Sequence, residues 1–140
     1  MTNVFEKNER VYYEDTDAGG VVYHSNYLNF MERCRCEWLS DMGFDVADLQ
    51  ENHGVVFVVR EAELKFDLPA RLFDRLKVTV EVLQVGKVKL LVEHKIYNQD
   101  QLLCRARVKL ASLDYSSFKL NAMPSDLQAA FSQQLKENTQ

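Results

Sequence analysis

Residues 76–110 read LKVTVEVLQVGKVKLLVEHKIYNQDQLLCRARVKL, and the period of this stretch decides the fold class. Leu76, Val78, Val80 and Val82 alternate with Lys77, Thr79 and Glu81, and Val88, Leu90, Val92 and Ile96 alternate with Lys87, Lys89, Glu93 and Lys95. After Asn98-Gln99-Asp100-Gln101, a third run sets Cys104, Ala106, Val108 and Leu110 against Arg105, Arg107 and Lys109. Side chains of a strand point alternately to opposite faces, so each run predicts a strand with one apolar and one charged face. Short turn-forming segments between them make consecutive antiparallel hairpins. Directly opposed residues share a face, so the even-numbered positions must meet. That register sets Glu93 opposite Arg105 or Arg107 and favours an odd-length hairpin loop over a two-residue one.

Upstream the period changes. From Ser25 to Met42, Tyr27, Phe30, Met31, Cys34, Trp38 and Met42 recur on one side, while Asn29, Glu32, Arg33, Glu37 and Asp41 fall on the other. This is the stripe of an amphipathic helix, with Ser25 or Asn26 to cap its start and Gly43 its end. Residues 8–14 predict a short strand, residues 45–52 a short helix, and the two-residue period begins at Val55. Pro124, the Ser125/Gln128 capping-box spacing and the stripe Leu127, Phe131, Leu135 predict a terminal helix over about 124–137. One long helix followed by antiparallel strands, without βα alternation, predicts an α+β domain whose sheet packs against that helix. The reading is one domain over residues 1–140 with its core in about 8–115.

Composition sets outer bounds on function. The chain has 140 residues, 46% hydrophobic and 27% charged, which is the make-up of a globular protein with a core of its own. The N-terminus MTNVFEKNER lacks an apolar signal region and no window reaches the length of a membrane span, so a cytoplasmic protein is expected, with peripheral membrane association still open to it. A net charge of −4 argues against a nucleic-acid partner. Cys34 and Cys36 point to different helix faces, so they form neither a redox pair nor a metal knuckle, and Cys36 has no neighbouring base to make it a nucleophile. His53 and His94 have no partners at metal-ligand spacing; no metal and no cofactor are expected.

Chemistry concentrates between the first strand and the long helix, in Tyr12-Tyr13-Glu14-Asp15-Thr16-Asp17-Ala18-Gly19-Gly20-Val21-Val22-Tyr23-His24-Ser25-Asn26-Tyr27. Taken singly, Asp15 and Asp17 suit a turn, the glycines suit permissive backbone, and His24 suits a helix start. Together they suit acyl transfer. A carboxylate beside a helix N-terminus can attack or take a proton while free backbone N–H groups polarise a carbonyl.

The pattern Tyr13, Asp15, Thr16, Asp17, Gly20, Val22, His24, Asn26, Tyr27, continued by Phe30-Met31-Glu32, Trp38 and Leu68-Pro69-Ala70-Arg71, resembles the 4-hydroxybenzoyl-CoA thioesterase family of hotdog proteins. Within it, the resemblance is closest to the Tol–Pal system-associated acyl-CoA thioesterases. It implies a curled antiparallel sheet wrapped around a long central helix, with Asp17 as the catalytic carboxylate and the backbone N–H of His24 facing the thioester oxygen. It also implies an acyl-CoA or acyl carrier protein substrate. Asp17 and His24 are the expected catalytic residues, with Gly20, Tyr23, His24, Asn26 and Tyr27 around the substrate. Where the 4-hydroxybenzoyl-CoA enzymes carry proline after the carboxylate and a Tyr-Pro pair further on, this chain has Ala18 and His24-Ser25, which argues against an aromatic substrate.

Arg60, Arg71, Lys87 and Lys89 are the candidates for the coenzyme A phosphates, with Arg75 a further one, because phosphate recognition needs such cations. The plain alternative for the basic hairpin face is a solvated charge ladder with Glu93. A single curled sheet leaves edge strands exposed, so a homo-oligomer is expected, a dimer or a dimer of dimers; the resemblance further implies a site between subunits, with the partner's residues 55–60 opposite Asp17. Two competing functions share this fold: a hydratase or dehydratase, whose histidine typically lies in a Pro/Gly-rich segment absent here, and a non-catalytic acyl-carrier-binding scaffold, which has no need of Asp17.

Overall fold

The computed structural model describes residues 4–138. Residues 1–3 and 139–140 of the expected domain lie outside them. Strand β1 (Phe5–Arg10) leads through a single 3-10 turn (Tyr13–Asp15) to helix α1 (Asn26–Asp41), helix α2 (Val46–His53), strands β2 (Val55–Phe66), β3 (Arg75–Val85), β4 (Lys89–Asn98) and β5 (Gln101–Asp114), and helix α3 (Ser125–Asn138). The strands form one sheet in the order β1-β3-β4-β5-β2, antiparallel throughout. It is the α+β hotdog architecture that the alternating runs and the long helix imply.

Even-numbered residues meet as the alternation requires: Val80 faces His94, Val82 faces Val92, and Leu90, Val92, His94 and Ile96 face Leu110, Val108, Ala106 and Cys104. These side chains make the buried face, against which α1 and α3 lie. Phe30, Met31, Cys34 and Trp38 of α1 are buried there. Trp38 stacks on Phe131 of α3 at 5.1 Å and donates its indole N–H to Gln134. Removing this much apolar surface from water is the main force holding the layers together. Gly43 follows α1 at φ +89°, a conformation that favours glycine.

Four local expectations need correction. The first strand is Phe5–Arg10, not residues 8–14, and Tyr13–Asp15 is a helical turn. The inward-leaning positions of β1 include Lys7 and Glu9, which pair with each other at 2.7 Å, so its apolar alternation is hidden. The β4–β5 hairpin uses a two-residue loop, Gln99-Asp100, because Leu103 bulges out of register and absorbs the odd count. Neither Ser25 nor Asn26 caps α1 through its side chain: Ser25 occupies the N-cap without a side-chain bond, and Asn26 donates to the Asp15 carbonyl. Among the described residues no capping box joins Ser125 and Gln128: Ser125 is already the first residue of α3, and the Gln128 side-chain amide donates to the Gly86 carbonyl at 3.1 Å.

Candidate active site

Asp15 builds the site's frame. Its buried carboxylate accepts the Tyr12 N–H at 2.9 Å, and its carbonyl accepts the Tyr23 N–H at 2.9 Å and the Asn26 amide at 3.0 Å. One residue thereby ties the end of the first strand's connection to the start of α1. Between these ties the chain makes a tight turn, with the Asp17 N–H bonded to the Val21 carbonyl at 2.9 Å and the Gly20 N–H to the Asp17 carbonyl at 3.1 Å. Gly20 holds φ +77°, which a side chain would strain. Asp17 is exposed, and its Oδ1 accepts the Gly19 N–H at 2.8 Å.

The turn leans on the segment before β3: the Val22 N–H bonds to the Ala70 carbonyl at 2.8 Å, and Val21 bridges Arg71. Tyr27 is buried, its hydroxyl accepts the Ala70 N–H at 3.1 Å, and its ring meets Phe66 edge-on at 5.4 Å. Burial pushes the Tyr27 hydroxyl above its ordinary value. Asn26 uses its amide on Asp15 and its side-chain oxygen on Asn29. Asn26 and Tyr27 thus brace the turn, while Tyr23 and His24 are exposed with their rings 4.5 Å apart. The backbone N–H of His24 meets no acceptor among the described residues, and it precedes the N-cap of a 16-residue helix. A free donor at the positive end of a helix favours negative charge beside it.

The candidate phosphate ligands fall in separate places rather than in one site. Arg60 is the bulged residue of β2 and shares a cleft with Lys89 and Lys109, while Lys87 is exposed beside it, its carbonyl accepting the Met123 N–H. Arg71 lies against Val21, and the bridge ties it to the Asp17 turn instead. Arg75 pairs across from Arg10, whose guanidinium sits 5.9 Å from the Tyr12 ring and 5.5 Å from the Phe73 ring. On the outer face Arg107 opposes Glu93, with contacts of 3.4 Å from Arg107 and 3.8 Å from Lys95, and Lys109 reaches Glu61 at 2.8 Å. That is a charge ladder, of small energetic weight.

The cysteines are poor nucleophiles. Burial pushes the Cys34 and Cys104 thiols up to about 12, and burial together with Glu32 raises that of Cys36. His53 sits 3.9 Å from Asp48, and among the described residues no cluster of metal-binding side chains occurs. One pairing escaped the sequence, that of His94 with Arg35. His94 is fully buried, its Nδ1 lies 2.9 Å from the Thr79 carbonyl and its Nε2 lies 3.0 Å from a guanidinium nitrogen of Arg35. A ring that donates from Nδ1 and accepts at Nε2 is neutral, and burial, aided by Arg35, pulls its pKa down to about 3. The only signal was Arg35 standing next to Cys34 at the margin of the apolar stripe.

A hotdog domain with an exposed carboxylate on a glycine turn, braced against the start of its long helix, has the parts for acyl transfer. Residues 11–131 match the thioesterase-like superfamily, to which the chain belongs. It is 40% identical over 131 residues to the acyl-CoA thioesterase YbgC of Haemophilus influenzae, covering 94% of this chain and 96% of that protein. Among solved structures it resembles a probable thioesterase from Bartonella henselae (32% identity, TM-score 0.82, covering 86% of this chain and 99% of that one). It also resembles a 1,4-dihydroxy-2-naphthoyl-CoA thioesterase from Synechocystis (25% identity, TM-score 0.84, covering 93% and 96%). Among the described residues no helix is long and apolar enough to cross a membrane.

Proposed function

We propose that this protein hydrolyses acyl-CoA thioesters to free acid and thiol, with Asp17 as the nucleophile or general base. The observation that carries the reading is the presence on one short segment of an exposed Asp17 carboxylate and a His24 N–H, just before α1, that meets no acceptor among the described residues. The thioester carbonyl would accept from that N–H, and the charge developing on its oxygen would be stabilised by the donor and the helix dipole. As a base, Asp17 takes a proton from water; hydroxide adds to the carbonyl carbon and the C–S bond breaks, releasing thiolate, which is then protonated. As a nucleophile, its oxygen adds to the carbonyl carbon and the C–S bond breaks, releasing thiolate and leaving a mixed anhydride that water cleaves to the free acid and the Asp17 carboxylate. Gly20 permits the turn, Asn26 and Tyr27 hold it, and Tyr23 lies at its mouth.

The motif resemblance supports a finer assignment to the Tol–Pal system-associated acyl-CoA thioesterases, working in the cytoplasm as a single domain over residues 1–140. What supports a homo-oligomer is β2, which pairs with β5 alone and leaves its outer edge without a neighbouring strand among the described residues. Edge pairing about a two-fold axis would cover it and bring residues 55–60 of the partner copy toward Asp17; two such dimers make the tetramer. Arg71 beside the turn, and Arg60 with Lys87 and Lys89 across the dimer, are then separate anchors for the phosphates of coenzyme A.

Free-thiol release across a series of acyl chains on both coenzyme A and acyl carrier protein tests the proposal. Turnover of coenzyme A thioesters is expected. Absence of turnover on every substrate would overturn the reading, and turnover confined to the carrier protein would replace its substrate.

A further inference from the structure

One face of α1 carries Leu28, Glu32, Arg35 and Leu39 at helical spacing, running from the site end of the helix into a cavity of about 410 Å³. The cavity lies between α1, α2 and the first half of β2, and its walls are apolar, with Leu39, Leu49, Val56, Val58 and Phe131 among them. Its charged lining residues are Arg35 and Glu32. Arg35 is largely withdrawn from water, and among the described residues its guanidinium meets no carboxylate within salt-bridge distance; its hydrogen-bond partner is the neutral His94. Glu32 is exposed at the rim.

A desolvated guanidinium facing a neutral base, with donors left over in an apolar chamber, is complementary to an anion carried on an apolar stem. Arg35 stands nine residues into α1 from Asn26, about 14 Å along the axis, and its long side chain leans back toward the helix N-terminus, where His24 lies. A medium-length acyl chain spans that gap. On the thioesterase reading proposed above, we infer that Arg35 selects acyl groups bearing a carboxylate at their far end, so that monothioesters of dicarboxylic acids are preferred over fatty acyl chains of equal length. His94 is the positioning residue that holds the guanidinium, its own ring fixed by the Thr79 carbonyl.

The test compares kcat/KM for adipoyl-CoA against hexanoyl-CoA and for suberoyl-CoA against octanoyl-CoA. Wild type is expected to favour the carboxylate-ended member of at least one pair by roughly 10- to 100-fold, the discrimination that a charged, desolvated hydrogen bond provides. Arg35→Met should collapse that ratio and Arg35→Lys should restore part of it, with thermal melting of each variant to establish that it folds. A wild-type ratio near one, or a preference for the methyl-ended chains, overturns the inference while leaving the thioesterase reading intact. A preference that survives in a folded Arg35→Met variant also overturns it. If Arg35→Met instead lowers the mass seen by light scattering and wild type shows no preference, a second copy of the chain fills the cavity and the inference fails. No turnover of any of the four thioesters overturns this inference, whereas the thioesterase reading falls only if the whole acyl series on both carriers is inert.

Discussion

Acidification should weaken this fold through His94, by an amount that the buried ring sets. In the unfolded chain the imidazole takes up a proton near pH 6.5, whereas in the folded chain burial and the neighbouring Arg35 delay uptake to about pH 3. Between those values the unfolded state binds more protons, so stability falls as the pH falls. Each pH unit inside that window costs about 1.4 kcal/mol, and from pH 6 to pH 4 the single proton costs about 2.5 kcal/mol. That is a large fraction of the roughly 5–15 kcal/mol of a typical domain. Other groups titrate over the same range, so the comparison is with His94→Gln, whose side chain can still accept from Arg35 and donate to the Thr79 carbonyl but takes no proton. Urea unfolding at pH 6 and pH 4, at one fixed protein concentration, gives the two differences. Wild type should lose about 2.5 kcal/mol more than the variant over this interval. Equal losses would refute the reasoning and would mean that His94 is charged, or solvated, in the folded protein.

His24 should act through its backbone. His24→Ala is expected to lower turnover by less than about tenfold, whereas His24→Pro, which deletes a donor bonded to nothing among the described residues, should cost about 10²- to 10³-fold. A loss on the order of 10²-fold in the alanine variant would assign acid–base work to the imidazole. Multi-angle light scattering should give at least twice the 16.3 kDa chain mass, with mass and specific activity falling together on dilution; a fully active monomer would contradict a shared site.

The long helix and the three central strands were legible because burial imposes a period and each element has one dry face. Phe30, Met31, Cys34 and Trp38 could only share a helix face, and His94 could only point inward with Val92 and Ile96. Bulges at Arg60, Leu83 and Leu103 were not legible, since an inserted residue leaves the pattern intact on either side and shows only when two strands are laid together. Strand β1 was displaced because it buries the stems of Lys7 and Glu9 where apolar residues would have announced it. In the site, the motif marked Asp17 but gave Asp15 only a turn's role; that Asp15 knots three segments depends on its carbonyl as much as its side chain, and backbone leaves no mark in sequence. The bond from Arg35 to His94 joins residues 59 apart, on elements whose pairing is known only once the sheet is folded.

The central claim is that Asp17 drives thioester hydrolysis, and free-thiol release from acyl-CoA by purified wild type and Asp17→Asn tests it most directly. The amide keeps the shape of the side chain, and its oxygen can still accept the Gly19 N–H, so the turn should persist. It can neither attack as a carboxylate nor take a proton, so turnover should fall by about 10²-fold or more with the melting temperature nearly unchanged. Near-normal thiol release from the folded variant would contradict the account.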